Sequence, residues 1–199
     1  TLTNFALTGS TSNWVEGNTN LALPVGAGTV GDPYQIATLA NLYWISQNSA
    51  EWNKYYIQTA DIDASSTSTW NSNTGWSPIG NSTTNFTGTY NGNSKTISGL
   101  FINRALNFQG FFGSTNGASI SNLGLIAVNI ISTGNTAGGL AGFTESTNIS
   151  NCSSSGTVIG GQYNGGLIGN HYLGSVSSSF SNCNVTGSST SGGLFGIVS

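Results

Sequence analysis

The chain has 199 residues, and only 5% of them are charged: six acids, three bases, a formal net charge of −3. Three cations cannot furnish a phosphate-binding surface, which excludes nucleic-acid binding. A chain with so few charges and 11% aromatic residues is not a disordered polyelectrolyte either, and its length is enough for one domain with its own core.

Taken in chain order, residues 1–30 alternate weakly at Leu2, Phe5 and Leu7 and read as an arm, an added strand or a linker. With Thr1 at the start and no Met anywhere, the sequence reads as a processed or excised product. No run approaches the ~18 apolar residues of a membrane span. Residues 31–53 form a capping segment. Within it, Thr38 is an N-cap for a helix through Gln47, with Leu39, Leu42, Tyr43 and Ser46 on one face. An end of a stacked sheet exposes unpaired backbone and core side chains, and a short amphipathic helix would cover it.

Tyr55–Asp63 is the next strand and the expected first coil. Asp61 and Asp63 share one face of it and are candidate ligands for a cation such as Ca²⁺, the alternative being two solvated or turn-bonded aspartates. The stretch 64–73 reads as a polar loop. Trp70 and Trp76 flank amides and hydroxyls, Asn71 among them. Exposed aromatic faces beside hydrogen-bonding side chains suit a sugar, so Trp70, Asn71 and Trp76 are the candidate ligand-binding residues; packing into the core is the other reading. Residues 86–113 form a variant coil, in which Phe86–Tyr90 alternates as a strand and Asn91-Gly92 is a turn signal.

The C-terminal half repeats. Gly138-Gly139-Leu140-Ala141-Gly142 recurs at 165–169 and 192–196, 27 residues apart each time, and Gly110-Phe111-Phe112-Gly113 is a degenerate earlier copy. Ile120-Ser121-Asn122-Leu123, Ile149-Ser150-Asn151-Cys152 and Val176-Ser177-Ser178-Ser179 run in step with it, and Val158 and Val185 keep the period. Each unit holds short apolar segments between turn formers, and none is long enough for a helix. One unit cannot bury its own apolar face; stacked copies can, with like side chains about 4.8 Å apart. The expected ladders are Leu140/Leu167/Leu194, Ile120/Ile149/Val176 and Val158/Val185. The paired glycines suit corners that need positive φ or close backbone approach. The fold class is therefore all-β: a parallel β-helix (β-solenoid) of about 27 residues per rung over residues 54–199, with units at 110–142, 139–169 and 166–196 and a short N-terminal capping helix.

This alignment sets Cys152 against Ser179 and Cys183 against Gly156. The two sulfurs then lie about 13 Å apart along the coil, at ~3.3 Å per residue, so both are expected free. After Arg104 the only charged side chain is Glu145, and His171 is the sole histidine, read as a loop residue beside Tyr172. No carboxylate pair and no nucleophile–base set stands out, so no catalytic residue, metal site or cofactor is assigned. Asn81, Asn85, Asn148, Asn151 and Asn184 head formal glycosylation sequons.

Gly31-Asp32-Pro33-Tyr34-Gln35-Ile36, the following Leu39-x-x-Leu-Tyr-Trp-Ile, the run at 86–100 and the Gly-Gly-Leu-x-Gly units resemble the GLUG-repeat proteins, over roughly residues 28–199. These are secreted or surface-anchored bacterial proteins, including large adhesins and segments of surface proteases. The resemblance implies a right-handed β-helix and an extracellular or cell-surface setting, and it brings no catalytic motif. The expected function is a non-enzymatic structural or adhesive module, an adhesin stalk or a filament subunit. The alternatives are a carbohydrate-binding β-helix domain, with a glycan or cell-surface ligand, and an ice-binding solenoid; the last would need a Thr-x-Thr file, which Ile159 and Thr186 break. The sequence stops inside a unit at Ser199, which suggests either continuation into further repeats or head-to-tail self-assembly.

Overall fold

The computed structural model describes residues 21–198, together with the backbone of strands β1 (Trp14–Val15) and β2 (Thr19–Asn20), which pair antiparallel. The alternation expected at Leu2, Phe5 and Leu7 lies outside the described residues. Strand β3 (Tyr34–Ile36) leads into helix α1 (Leu39–Gln47). The helix starts where Thr38 places it: Thr38 Oγ1 accepts from Asn41 N at 3.2 Å, and Asn41 Oδ1 accepts from Thr38 N at 3.1 Å. Its buried face includes Leu42, Tyr43 and Ser46, as expected, but Ile45 and Asn41 join them while Leu39 is only half-buried. The helix packs on the N-terminal end of the sheet through Tyr43 on Trp70 and Trp44 on Tyr34.

Beyond α1 the chain coils. The stretch expected as one strand is two, β4 (Tyr55–Gln58) and β5 (Ile62–Asp63), and it is not the first coil, because β3 already pairs parallel to β4. Residues expected as a loop include a 3-10 turn at Ser65–Thr69 that buries Thr67. Then come β6 (Thr89–Ser98), β7 (Phe101–Arg104), β8 (Phe112–Asn116), β9 (Ser119–Ser132), β10 (Thr136–Gly138) and β11 (Ala141–Ser150). They are followed by β12 (Ser153–Gly160), β13 (Tyr163–Gly165), β14 (Ile168–Ser177), β15 (Phe180–Gly187), β16 (Thr190–Gly192) and β17 (Phe195–Val198). Apart from β1–β2, every pair of named strands is parallel. The result is a β-solenoid with turns of about 28 residues each.

The ladders are in register. Leu140 N donates to Leu167 O at 2.8 Å and Leu167 N to Leu194 O at 3.0 Å, with Ala141, Ile168 and Phe195 aligned beside them. Phe112 pairs with Ala141, which puts Phe111 on top of the leucine column, as the degenerate copy implied. Ile120, Ile149 and Val176 align, and their column continues back through Tyr90, Tyr56 and Tyr34. Val158 and Val185 extend back to Ile130 and Ile102. The interior thus grades along the axis, from aromatic at the N-terminal end to aliphatic. Trp76 stacks on Phe111 with ring centroids 5.7 Å apart, and Phe86 meets Phe112 at 4.9 Å.

Of the two readings of the paired glycines, close backbone approach is the one observed: none is left-handed, and the first glycine of each pair lies against backbone. A Cβ on Gly138 would lie 2.2 Å from Ala141 O, on Gly165 1.9 Å from Ile168 O, and on Gly192 2.0 Å from Phe195 O. Left-handed residues instead form two columns of their own. Asn122, Asn151 and Ser178 have φ of 54°, 53° and 48°, and Gly117, Ser146 and Leu173 have 67°, 47° and 59°. Asn91-Gly92 does not reverse the chain either. It lies inside β6, whose register shifts between Asn91 and Lys95 while Asn93 and Ser94 take positive φ, so the strand turns a corner and stays parallel.

Candidate functional site

The aromatic residues expected at a sugar-binding surface are interior. Trp76 is fully buried and Trp70 6% exposed; their rings lie 6.3 Å apart, and Trp76 Nε1 donates to Phe111 O at 3.1 Å. Asn71 is exposed, but its Nδ2 is spent on Gly75 O at 2.8 Å, closing the turn. The correction has a plain cause. At the N-terminal end the coils are wide and irregular, and large rings fill them, so the tryptophans are drawn inward despite their polar neighbours.

Asp61 and Asp63 are also engaged locally. Asp61 Oδ1 accepts from Thr96 N at 2.7 Å and from Thr96 Oγ1 at 3.1 Å, and Asp63 Oδ1 accepts from Ser65 N at 2.8 Å. These hydrogen bonds hold both carboxyls below the usual aspartate range. Asp61 fastens its stretch of chain to β6, while Asp63 closes a local turn onto the residue two places on. Among the described residues no three His, Cys, Asp or Glu side chains gather in a metal-binding arrangement.

His171 is not a loop residue. It lies in β14, in one column with Thr144 and Thr115, and is 7% exposed. Thr144 Oγ1 lies 2.7 Å from His171 Nδ1, and Phe195 stacks on the imidazole at 5.6 Å. Burial lowers its pKa. Thr115 Oγ1 and Thr147 Oγ1, both buried, pair at 2.9 Å. The loop reading failed because polar side chains at inward positions are indistinguishable from loop residues until the register is known. Both cysteines are free: Cys152 is buried, its thiol pushed up to about 11 by desolvation, while Cys183, opposite Gly156, is half-buried. Of the sequon asparagines, Asn148 and Asn151 are tied into the coil, accepting from Ser175 Oγ at 2.7 Å and donating to Asn122 Oδ1 at 3.1 Å, respectively. Asn122 in turn donates to Asn91 at 2.9 Å, so these amides climb the outside of one corner as a ladder.

A cavity the sequence did not announce lies beside the variant coil. It measures about 440 Å³ and is lined by residues from α1 to the start of the repeats, among them Asn81, Ser82, Arg104, Leu106, Phe108 and Gln109. Arg104 ends β7 half-buried. Its Nε donates to Trp76 O at 2.9 Å, and its Nη2 to Gly75 O and to Ser77 Oγ, both at 3.0 Å. Burial lowers its pKa, and among the described residues no carboxylate offsets that. Gln109 is 3% exposed; its Nε2 donates to Asn107 O at 2.9 Å, while its Oε1 has no partner among the described residues. Phe108 between them has φ of +62°, a conformation a bulky side chain rarely adopts. The one signal in the sequence was Arg104 itself, a cation in a stretch without acids.

The GLUG motif model matches residues 133–159. Halomucin of Haloquadratum walsbyi is 38% identical over 151 residues, which are 73% of this chain. The chain spans about 2% of that relative's length. No solved structure matches the chain. The repeat matched by the motif is the one whose Leu140 and Ile149 stand in the central ladders, and the copies before and after it stack on it in register. With a parallel solenoid built on these units, the chain is a GLUG-repeat protein.

Proposed function

We propose that this chain is a non-enzymatic, extracellular spacer of a surface protein: a stiff rod that holds other segments away from the cell and presents neutral polar faces, as an adhesin stalk or filament does. The observation that carries the reading is the continuous ladder. Six successive strands of one face, β3, β4, β6, β9, β11 and β14, pair parallel from end to end, so bending the rod requires breaking sheet hydrogen bonds. The GLUG motif and the halomucin relative support a surface or secreted setting. The near-absence of charge supports a role that does not depend on attraction between ions.

The partner this reading implies is another coil of the same kind. Val176, Val185 and Leu194, the last members of their ladders, are only half-buried. A coil in the same register, from continuing chain or from a second copy, would cover them. Sedimentation velocity of the isolated chain tests the second copy: association with rising concentration supports it, and a monomer throughout would overturn it.

Placement is tested on the source cells with an antibody raised against the purified chain. Labelling of intact cells is the expected result. Labelling that appears only after permeabilisation would overturn the extracellular reading.

A further inference from the structure

The cavity beside Arg104 is lined as a ligand site would be. Four features point the same way. Its only charged lining residue is a cation; Asn81, Ser82 and Ser77 are neutral and polar; Leu106 and Phe108 supply an apolar wall; and its volume, about 440 Å³, suits a small organic ligand and exceeds what a bare anion fills. The Arg104 guanidinium spends Nε and Nη2 on the 75–77 turn, and its Nη1 makes no protein hydrogen bond among the described residues. The Phe108 backbone lies against Gly142, where a Cβ would meet Phe108 C at 2.4 Å, and its ring packs on Phe143 at 5.4 Å. Strained backbone of this kind concentrates at binding sites.

We propose that this cavity binds a polyhydroxylated carboxylate of monosaccharide size, a hexuronate, with its carboxylate on Arg104 Nη1, its hydroxyls toward the exposed Asn81 and Ser82 and its ring face against Phe108 and Leu106. A charge-assisted bond to a partly desolvated guanidinium contributes about 1.5–3 kcal/mol, so the acid should bind roughly tenfold or more tightly than its neutral counterpart. Such a site would give a stalk a ligand of its own. It does not depend on where the protein resides, so failure of the antibody test leaves it standing, and its own failure leaves the rod intact.

The test is an NMR titration of the ¹⁵N-labelled 199-residue chain at low salt with D-glucuronate, D-glucose and acetate, following Arg104 Nε–H and the amides of residues 104–109. The expected result is saturation by glucuronate, with glucose and acetate each at least about tenfold weaker. Arg104→Gln should abolish the preference for the acid. Because Arg104 also fastens the 75–77 turn, Ser82→Trp, at an exposed lining position, serves as a second variant: it should keep the spectrum of the fold and lose binding. Glucose binding as tightly as glucuronate, acetate binding as tightly as glucuronate, no shifts with any of the three, or Ser82→Trp binding like the parent would each overturn the proposal.

Discussion

Leu167 sits between Leu140 and Leu194 with no exposed surface, its backbone bonded on both sides to theirs. Its neighbours above and below are copies of itself, so no flexible surface residue stands ready to fill the space it occupies. Truncation therefore leaves a cavity in the middle of a column, and Leu167→Ala should cost about 2–5 kcal/mol. Urea unfolding followed by circular dichroism reads this as a lower midpoint. A midpoint unchanged within error would mean that the leucines do not stack. These ladders were legible because a buried aliphatic side chain repeating at 27 residues has few explanations besides a coil. Trp70 and Trp76 were open to either reading for the opposite reason: a tryptophan among serines and asparagines looks alike on a surface and in a wide core, and only the position of Phe111 beneath Trp76 decides.

At the scale of the strand, each inward column is a sequence of side chains with one environment, and the column of Thr115, Thr144 and His171 makes it polar. Thr144 meets the imidazole on one side and Phe195 covers it on the other. Burial depresses the His171 pKa below its ordinary 6.5, so the unfolded chain takes up a proton at a pH where the folded chain does not. The stability this contributes is complete above pH 6.5 and is lost as pH falls through and below that value. The melting temperature should accordingly decline between pH 7 and pH 5, and His171→Thr, which continues the threonine column, should flatten the decline. An identical slope in the variant would show that His171 is not the titrating group. The corners belong to the same scale. Asn122, Asn151 and Ser178 adopt the left-handed conformation in register, and the amide ladder of Asn91, Asn122 and Asn151 binds one coil to the next. The pattern Ile-Ser-Asn was visible in the sequence as a repeat, but not as a corner, since glycine is the residue normally expected there and the glycines instead answer to backbone contact.

For the whole molecule, the coil length and the parallel stacking were legible, and the cavity was not. The reason is geometric. Coil length is a periodicity along the chain, whereas the cavity is assembled from α1, the 77–82 turn and the 104–109 turn, which come together only once the coils are wound. The first coil was misplaced for a similar cause: β3 has only Tyr34–Ile36 to mark it, and its membership shows in the Tyr34/Tyr56/Tyr90 column rather than in any repeat.

Residues 27 apart are neighbours on successive coils, and engineered disulfides measure that directly. Asn148 aligns with Ser175 and Thr157 with Asn184. In a chain with Cys152 and Cys183 replaced by serine, the pairs Asn148→Cys/Ser175→Cys and Thr157→Cys/Asn184→Cys should each close under mild oxidation, because adjacent parallel strands hold their Cα atoms about 4.8 Å apart, within disulfide reach. The exchanged pairs, Asn148→Cys/Asn184→Cys and Thr157→Cys/Ser175→Cys, join different faces and should stay reduced. Closure of the exchanged pairs, or failure of both matched pairs in folded protein, would contradict the solenoid.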